Sequence, residues 1–426
     1  MEKLRNREFP MIQVGIGIVL LFIVFMFGNY VKTLGAALPM QLFIGFVMGY
    51  VLVRGRFGFA GGVKRLFVRG EGSLSKALLL MIVVILIGYL GIQWKAASGG
   101  ALPSFLAGAE DAVIPGTQNV LGVNLALAAG AFLFGIGMII SGGCASGTFS
   151  DLGEGEGRAF ITIIFFIIGT LPGRWVRYHH DQSFLGNLNA KVYLPEYFGY
   201  IGAFLVSLLF VLITYLLVVK YENNRKAKGT YADPKGDWEE FEKPLDPMTN
   251  EISASYKVYH KLFVERWSFT VAGLIFAMAV IFLPAAFGTG WGVTGTFINT
   301  ITTLINGAGW EFATPSLQAS VVDNWLANAM NIRNIGIFAG ALISFLLAGR
   351  FSIKFNFTLK DGLYYSLGGL LLGFGAMLAG GCNAGALTSG IASFSLSGWV
   401  FMIFMTLGGL ASLKWFAGKV DTIPNK

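Results

Sequence analysis

Apolar stretches long enough to cross a lipid bilayer recur along the whole chain. A membrane-spanning helix needs about 20 predominantly apolar residues, and such stretches follow one another from Met11 to Trp415. Of the 426 residues, 55% are hydrophobic and only 13% are charged, whereas a soluble protein has about 25% charged residues. Because this deficit of charge extends over the whole chain, the sequence predicts an all-α polytopic membrane protein.

The apolar pattern predicts ten candidate membrane crossings. Several of them are short and interrupted by glycine, so some are expected to be re-entrant rather than spanning, and the number is uncertain by about two. The predicted crossings are 11–31, 36–53, 77–94, 121–140, 159–173, 199–219, 267–288, 334–349, 363–379 and 397–413.

The distribution of basic residues predicts how the chain is oriented. The formal net charge of +8 is better explained by membrane topology than by nucleic-acid binding, because Lys and Arg are retained in cytoplasmic loops. With the N-terminus inside, all but six of the 31 Lys and Arg residues fall in cytoplasmic segments, among them Lys3, Arg5 and Arg7. The sequence therefore predicts cytoplasmic N- and C-termini. The six basic residues assigned to external loops are Lys32, Lys95, Arg174, Arg177, Lys191 and Arg333.

One long polar stretch, 220–266, divides the chain. It contains Pro234, Pro244 and Pro247, and its apolar periodicity is too weak for a separate domain. We interpret it as a cytoplasmic linker between a first membrane half, 1–219, and a second, 267–426.

The two halves contain a related motif. Residues 133–147 read LFGIGMIISGGCASG, and residues 371–385 read LLGFGAMLAGGCNAG. Both follow the frame G-x-G-x-x-x-x-G-G-C-x-x-G. Under the charge-derived topology, the chain enters one copy from outside and the other from inside. The sequence therefore predicts two inverted repeat halves, a transporter architecture that places the substrate site near the bilayer midplane.

Each copy of the motif predicts a broken or re-entrant helix near the midplane. Paired glycines interrupt a helix and let the backbone approach a ligand closely, and the freed N–H groups must face protein, water or substrate. A short helix restarting beyond the break would present its positive N-terminus to an anion. The candidate substrate-path residues are Gly142, Gly143, Cys144, Ser146, Gly147 and Thr148 in the first copy, and Gly380, Gly381, Cys382, Asn383, Gly385 and Thr388 in the second.

The chain has only two cysteines, and both occupy the same position of the motif. A thiol is a weak donor and a polarisable acceptor, so it could contact a sulfur atom of a passing ligand without holding it tightly. Two alternatives are that the cysteines are small apolar residues in helix packing or that they form a disulfide, which the predicted buried position disfavours. No metal site, cofactor or catalytic acid–base pair is predicted, because neither C-x-x-C nor H-E-x-x-H spacing occurs.

Segments 130–147 and 368–401 resemble the two cysteine motifs of the YeeE/YedE sulfur-transport family, which includes thiosulfate importers and a subgroup linked to selenium metabolism. Residues 54–60, RGRFGFA, resemble that family's R-x-R-F-C-F-A motif, with Gly58 at the position of an additional cysteine. The resemblance implies an inner-membrane protein in which thiosulfate passes by transient S–H···S contacts. By position, Cys144 and Cys382 would make these contacts.

The function expected from the motif and the resemblance is transport without catalysis. The leading hypothesis is an importer of thiosulfate or a related small sulfur-containing anion, embedded in the lipid bilayer of the cell inner membrane. The resemblance alone implies a further partner, a cytoplasmic sulfur carrier of the TusA type. Because Gly58 stands at the position of the family's additional cysteine, a selenium compound or sulfite remains an alternative substrate. A membrane thiol oxidoreductase is the alternative from another functional class.

Overall fold

A computed structural model describes residues 10–235, 238–245 and 254–423, and this part of the chain contains ten helices long and apolar enough to span a membrane. The prediction of an all-α fold is therefore confirmed, and the number of candidate crossings agrees with the predicted ten. Two of these candidate spans, Leu38–Arg69 and Leu125–Glu154, include the short helical segments that follow a longer helix. Lys3, Arg5 and Arg7, which support the predicted orientation, lie outside the described residues.

The ten long helices, labelled in chain order, follow the predicted crossings and mostly extend beyond them. The sixth is interrupted at Gly199, where φ is 65°. Their bounds are α1 Met11–Lys32, α2 Leu38–Arg54, α3 Ser73–Ser98, α4 Leu125–Ile140, α5 Gly157–Asp181, α6 Leu194–Ala227, α7 Phe269–Phe287, α8 Ala329–Leu347, α9 Leu359–Ala379 and α10 Leu396–Trp415.

Shorter elements connect these helices. Two strands, Gly122–Val123 and Ala190–Lys191, form an antiparallel pair. The short α-helices are Phe59–Lys64, Ala145–Glu154, Phe184–Asn187, Ala254–Tyr259, Thr294–Gly307, Pro315–Gln318 and Gly390–Ala392; the π-helical turns are Arg65–Arg69, His260–Val264 and Asn383–Ser389; and the 3₁₀ turns are Thr117–Asn119, Glu240–Glu242 and Trp325–Ala327.

The two helices that end at the Gly-Gly-Cys motifs, α4 and α9, pack directly against each other. A Cβ atom at Gly130 would lie 2.7 Å from the carbonyl oxygen of Gly375, and one at Gly137 would lie 2.6 Å from that of Gly368. The residue numbers of the contacting pairs increase along α4 and decrease along α9, so the two helices are antiparallel. In addition, α4 packs against α10, and α9 packs against α5. Each motif helix thus contacts the helix that follows the other motif.

A second pair, α2 and α8, also meets backbone to backbone. A Cβ atom at Gly45 or Gly49 would overlap the carbonyl oxygen of Arg333 or Ile337, respectively. Small residues allow this close approach, which contributes to helix association in membranes. The glycines therefore set the spacing between these two helices.

Helix Thr294–Gly307 was not predicted from the sequence. It has 14 residues, fewer than the roughly 20 needed to span a bilayer, and several of them are threonines. Its Phe297 ring lies 4.2 Å from that of Phe166 in α5 and 5.3 Å from that of Phe149 in Ala145–Glu154. The helix therefore packs within the bundle, next to the first motif.

The assignment of Arg333 to an external loop is wrong. Arg333 lies inside α8 with 3% of its surface exposed, and its Nε donates a hydrogen bond of 2.8 Å to Oε1 of Gln41. The helix begins earlier than predicted because Asn328 caps it, accepting from the backbone N–H groups of Met330 and Asn331. Arg174 and Arg177 likewise belong to a helix, since α5 continues to Asp181.

Candidate functional site

The first cysteine loop breaks the path of α4. After Ile140 the chain turns at Gly142, whose φ of 81° is readily adopted only by glycine. Cys144 is extended and immediately precedes helix Ala145–Glu154. Its Sγ lies 3.4 Å from Oγ of Ser146, and its carbonyl oxygen accepts a 2.9 Å hydrogen bond from Oγ1 of Thr148. The thiol is therefore held at the N-terminus of a short helix.

The second cysteine loop has the same design at the end of α9. Gly380 has a φ of 82°, and Cys382 precedes the π-helical turn Asn383–Ser389. Sγ of Cys382 accepts a 3.4 Å hydrogen bond from the backbone N–H of Ala384, and Oγ1 of Thr388 donates one of 2.7 Å to the carbonyl oxygen of Asn383. A short helical segment thus restarts after each cysteine.

The second loop reaches back to the first motif helix. Nδ2 of Asn383 donates a 3.4 Å hydrogen bond to Sδ of Met138 in α4. Within the described part of the chain, the buried Oδ1 of Asn383 has no hydrogen-bond partner. A buried polar atom without a partner is costly. The second loop is thus tied to α4 through the amide nitrogen of Asn383, while the amide oxygen has no partner among the described residues.

Both cysteines are free thiols with 2% of their surface exposed. They belong to the same buried hydrophobic cluster of the core. Across the described ranges, no group of three or more His, Cys, Asp or Glu is arranged to hold a metal ion. Both thiols therefore lie in the buried core of the protein.

A cavity of about 160 Å³ adjoins the first cysteine loop. Four of the twelve candidate residues line it, namely Gly142, Gly143, Cys144 and Gly147. The other eight do not: Ser146, Thr148, Gly380, Gly381, Cys382, Asn383, Gly385 and Thr388. The cavity therefore places Cys144, rather than Cys382, against open space.

Gly58, at the position of the family's additional cysteine, lines the same cavity as Cys144. Its φ of −155° and ψ of 145° are extended and accessible to any residue. No described atom lies within 4 Å of the position that its Cβ would occupy. The missing cysteine side chain would therefore fit here, facing the same space as the thiol of Cys144.

A larger cavity of about 640 Å³ continues from the first and is lined mainly by charged side chains. The two cavities share Arg56, Gly61, Asp151 and Glu154. Sequence reasoning did not select Arg56, although the R-x-R-F pattern at residues 54–57 pointed to it. We call the larger cavity the charged vestibule.

Ion pairs organise the walls of the charged vestibule. Arg158 lies 3.0 Å from Asp151 and donates a 2.9 Å hydrogen bond to the carbonyl oxygen of Ser141 in the first cysteine loop. Lys354 lies 2.9 Å from Glu156. Partial burial lowers the pKa of Lys354, but the hydrogen bond to Glu156 and the nearby carboxylates raise it further, so the net shift is upward. The vestibule walls therefore carry paired charges of both signs, and Arg158 links them to the first cysteine loop.

Comparison with known proteins gives the family. Residues 54–411 match the sequence profile of the sulphur transport family, a span that includes both cysteine loops and the segment around Gly58. The chain belongs to the sulphur transport family. The predicted resemblance is thereby confirmed, and the protein is a multi-pass membrane protein of a transporter family.

Two relatives align over most of this chain, and a third aligns over part of it. The thiosulfate transporter TsuA of Escherichia coli K12 is 28% identical over 378 residues, covering 86% of this chain and 91% of the relative. TsuA of Spirochaeta thermophila is 24% identical over 389 residues, covering 86% and 95%. The probable transporter YedE of E. coli K12 is 27% identical over 171 residues, covering 39% and 40%.

Proposed function

We propose that this protein is an inner-membrane permease that imports thiosulfate or a related small sulfur-containing anion. The observation that carries the proposal is the position of Cys144, at the N-terminus of a short helix and in the wall of a cavity that continues into the charged vestibule. The two relatives that align over most of the chain are named thiosulfate transporters, which supports this substrate.

The two thiols would act as successive contacts for the anion. The N-terminus of a helix carries a partial positive charge and free N–H donors, so an anion is attracted to Cys144 and Cys382 without a fixed counter-charge that would trap it. A neutral thiol adds a weak donor and a polarisable sulfur. Such contacts are weak enough to break again, as transport requires, and no bond in the substrate has to change.

The proposed function includes an arrangement in the membrane. Halves 1–219 and 267–426 would be inverted repeats, linker 220–266 would lie in the cytoplasm, and both termini would be cytoplasmic. The antiparallel contact of α4 and α9 and the reciprocal packing of α4 with α10 and α9 with α5 support this relation. The charged vestibule would then be the cytoplasmic exit, from which a sulfur carrier of the TusA type would receive the anion.

Uptake of labelled thiosulfate tests the proposal. In bacterial cells lacking other routes for this anion, the chain should support uptake, and Cys144→Ala and Cys382→Ala should each abolish most of it. Gly91→Ala, at an exposed helical position with no described atom near the added Cβ, is the matched control. Wild-type uptake no higher than that of cells without the protein would contradict the function, and full uptake by both cysteine variants would contradict the role of the thiols.

A further inference from the structure

The guanidinium group of Arg56 stands between the cavity at Cys144 and the charged vestibule. Arg56 lines both spaces, so an anion moving from one to the other passes this side chain. Its planar group lies 5.4 Å from the ring centre of Phe345, which limits its freedom to turn away. A guanidinium fixed in this way can bind an oxyanion through two parallel hydrogen bonds.

The backbone of Arg56 is held in an unusual conformation. Its φ of 46° lies in the left-handed region, which residues other than glycine rarely adopt. Such conformations persist where the surroundings enforce them, and they occur often at functional sites. The chain is also held two residues earlier, because the backbone N–H of Trp267 donates a 2.9 Å hydrogen bond to the carbonyl oxygen of Arg54. The local fold thus directs the Arg56 side chain to the boundary of the two spaces.

Two carboxylates bind the Arg56 guanidinium in this structure. Its Nη1 donates a 2.8 Å hydrogen bond to Glu154, in the helix that begins after Cys144. Its Nε donates one of 2.9 Å to Glu242, in the linker. A carboxylate and a sulfur oxyanion present similar negatively charged oxygen atoms to a guanidinium. Both carboxylates therefore occupy positions that a transported anion could take.

The linker segment around Glu242 is docked on the charged vestibule by contacts that do not involve Arg56. The backbone N–H of Arg266 donates a 3.0 Å hydrogen bond to the carbonyl oxygen of Glu242. Next to it, the carbonyl oxygen of Phe241 lies 2.9 Å from Nε2 of His260, and the guanidinium of Arg350 lies 3.7 Å from the centre of the Phe241 ring. The carboxylate of Glu242 can therefore leave Arg56 while the segment remains bound.

We propose that Arg56 is an anion-binding site at the exit of the Cys144 cavity, and that Glu242 of the linker is a built-in competitor for it. The ligand class is a small divalent oxyanion, and its identification with the transported anion rests on the proposed function. An anion arriving from Cys144 displaces Glu242 from Arg56 and then passes into the charged vestibule. In the absence of anion, the ion pair narrows the passage.

Labelling of Cys144 from the vestibule side tests this site without requiring transport. The full chain in inside-out vesicles is treated with a sulfonate-bearing methanethiosulfonate, an anionic thiol reagent, and modification of Cys144 is followed by mass spectrometry. Glu242→Gln should increase the labelling rate about tenfold, the effect of losing one hydrogen bond between charged groups. Glu240→Gln is the matched control, because this carboxylate in the same turn pairs with the half-exposed Lys243. Equal labelling rates of Cys144 in the wild type and in Glu242→Gln would contradict the role of Glu242 as a competitor.

Protection by sulfate tests the anion site itself. Sulfate is a divalent oxyanion that does not consume the reagent, and chloride at equal ionic strength corrects for screening. Sulfate should slow labelling of the Glu242→Gln protein severalfold, but not when Arg56→Gln is added; Arg56→Lys, which keeps the charge, should retain part of the protection. If sulfate protected Cys144 from labelling equally with and without Arg56→Gln, Arg56 would not be the anion-binding site. Absence of thiosulfate uptake by the wild type would instead defeat the proposed function and leave these labelling results intact.

Discussion

Replacing Gly58 by cysteine would add a third thiol to the cavity at Cys144. The backbone at Gly58 is extended, and no described atom lies within 4 Å of the added Cβ, so the substitution introduces no steric strain. Replacing glycine at a compatible position stabilises a protein by about 0.4–1 kcal/mol through the unfolded state. We therefore expect Gly58→Cys to fold normally, with a thermal midpoint in detergent equal to or slightly above that of the wild type.

The effect on transport follows from one additional weak contact. The new sulfur faces the cavity of about 160 Å³ that Cys144 also lines. A hydrogen bond of a neutral donor contributes about 0.5–1 kcal/mol net, which corresponds to a factor of about two to five. If passage of the anion past this point limits the rate, initial uptake of labelled thiosulfate should rise by that factor.

Gly58→Ala is the matched control for this experiment. Alanine adds the same Cβ atom at the position before helix Phe59–Lys64, but it has neither a sulfur atom nor a side-chain donor. The reasoning predicts increased uptake for Gly58→Cys and uptake close to wild type for Gly58→Ala. Equal uptake by the two variants, at equal amounts of folded protein, would show that a sulfur atom at this position contributes nothing.

Three further predictions concern stability, measured as thermal unfolding of the purified protein in detergent. Gly137→Ala should destabilise by about 1–3 kcal/mol through overpacking against α9, whereas Gly91→Ala, at an exposed position of α3, should stabilise by about 0.5–1 kcal/mol; equal effects would contradict the backbone contact. Gln41→Leu should destabilise more than Arg333→Leu, because it leaves a charged rather than a neutral group buried without its partner; the reverse order would refute this. Thr358→Ala should cost about 0.5–2 kcal/mol by removing the capping box of α9, and an unchanged midpoint would contradict it.

The elements that could be predicted from the sequence are those fixed by local composition. The ten long helices follow from apolar length alone, and the Gly-Gly pairs marked the two breaks because glycine alone readily adopts the φ values found at Gly142 and Gly380. The cysteine loops, each followed by a short helical segment, were anticipated for the same reason. Their roles in transport and the inverted relation of the halves remain predictions.

The features that were missed depend on contacts between distant parts of the chain. Helix Thr294–Gly307 is too short and too polar for a search for spanning segments, and its place is set by the packing of Phe297. Arg333 was assigned to a loop because a charged residue is costly within a membrane. Its partner Gln41 lies 292 positions away in the sequence. The same holds for Glu242, whose contact with Arg56 no local pattern reveals.

Glycines bring α4 into backbone contact with α9 and α10, and α5 into backbone contact with α9. These contacts limit how the protein could accumulate an anion inside the cell. Helices that meet backbone to backbone cannot slide past one another without opening voids, so a passage between them is expected to work without alternating exposure to the two sides. Flux would then follow the electrochemical gradient. For a dianion entering a cell with an interior potential of about −100 mV, that gradient opposes entry by roughly 4.6 kcal/mol. Sustained import would therefore depend on rapid chemical consumption of the anion inside the cell.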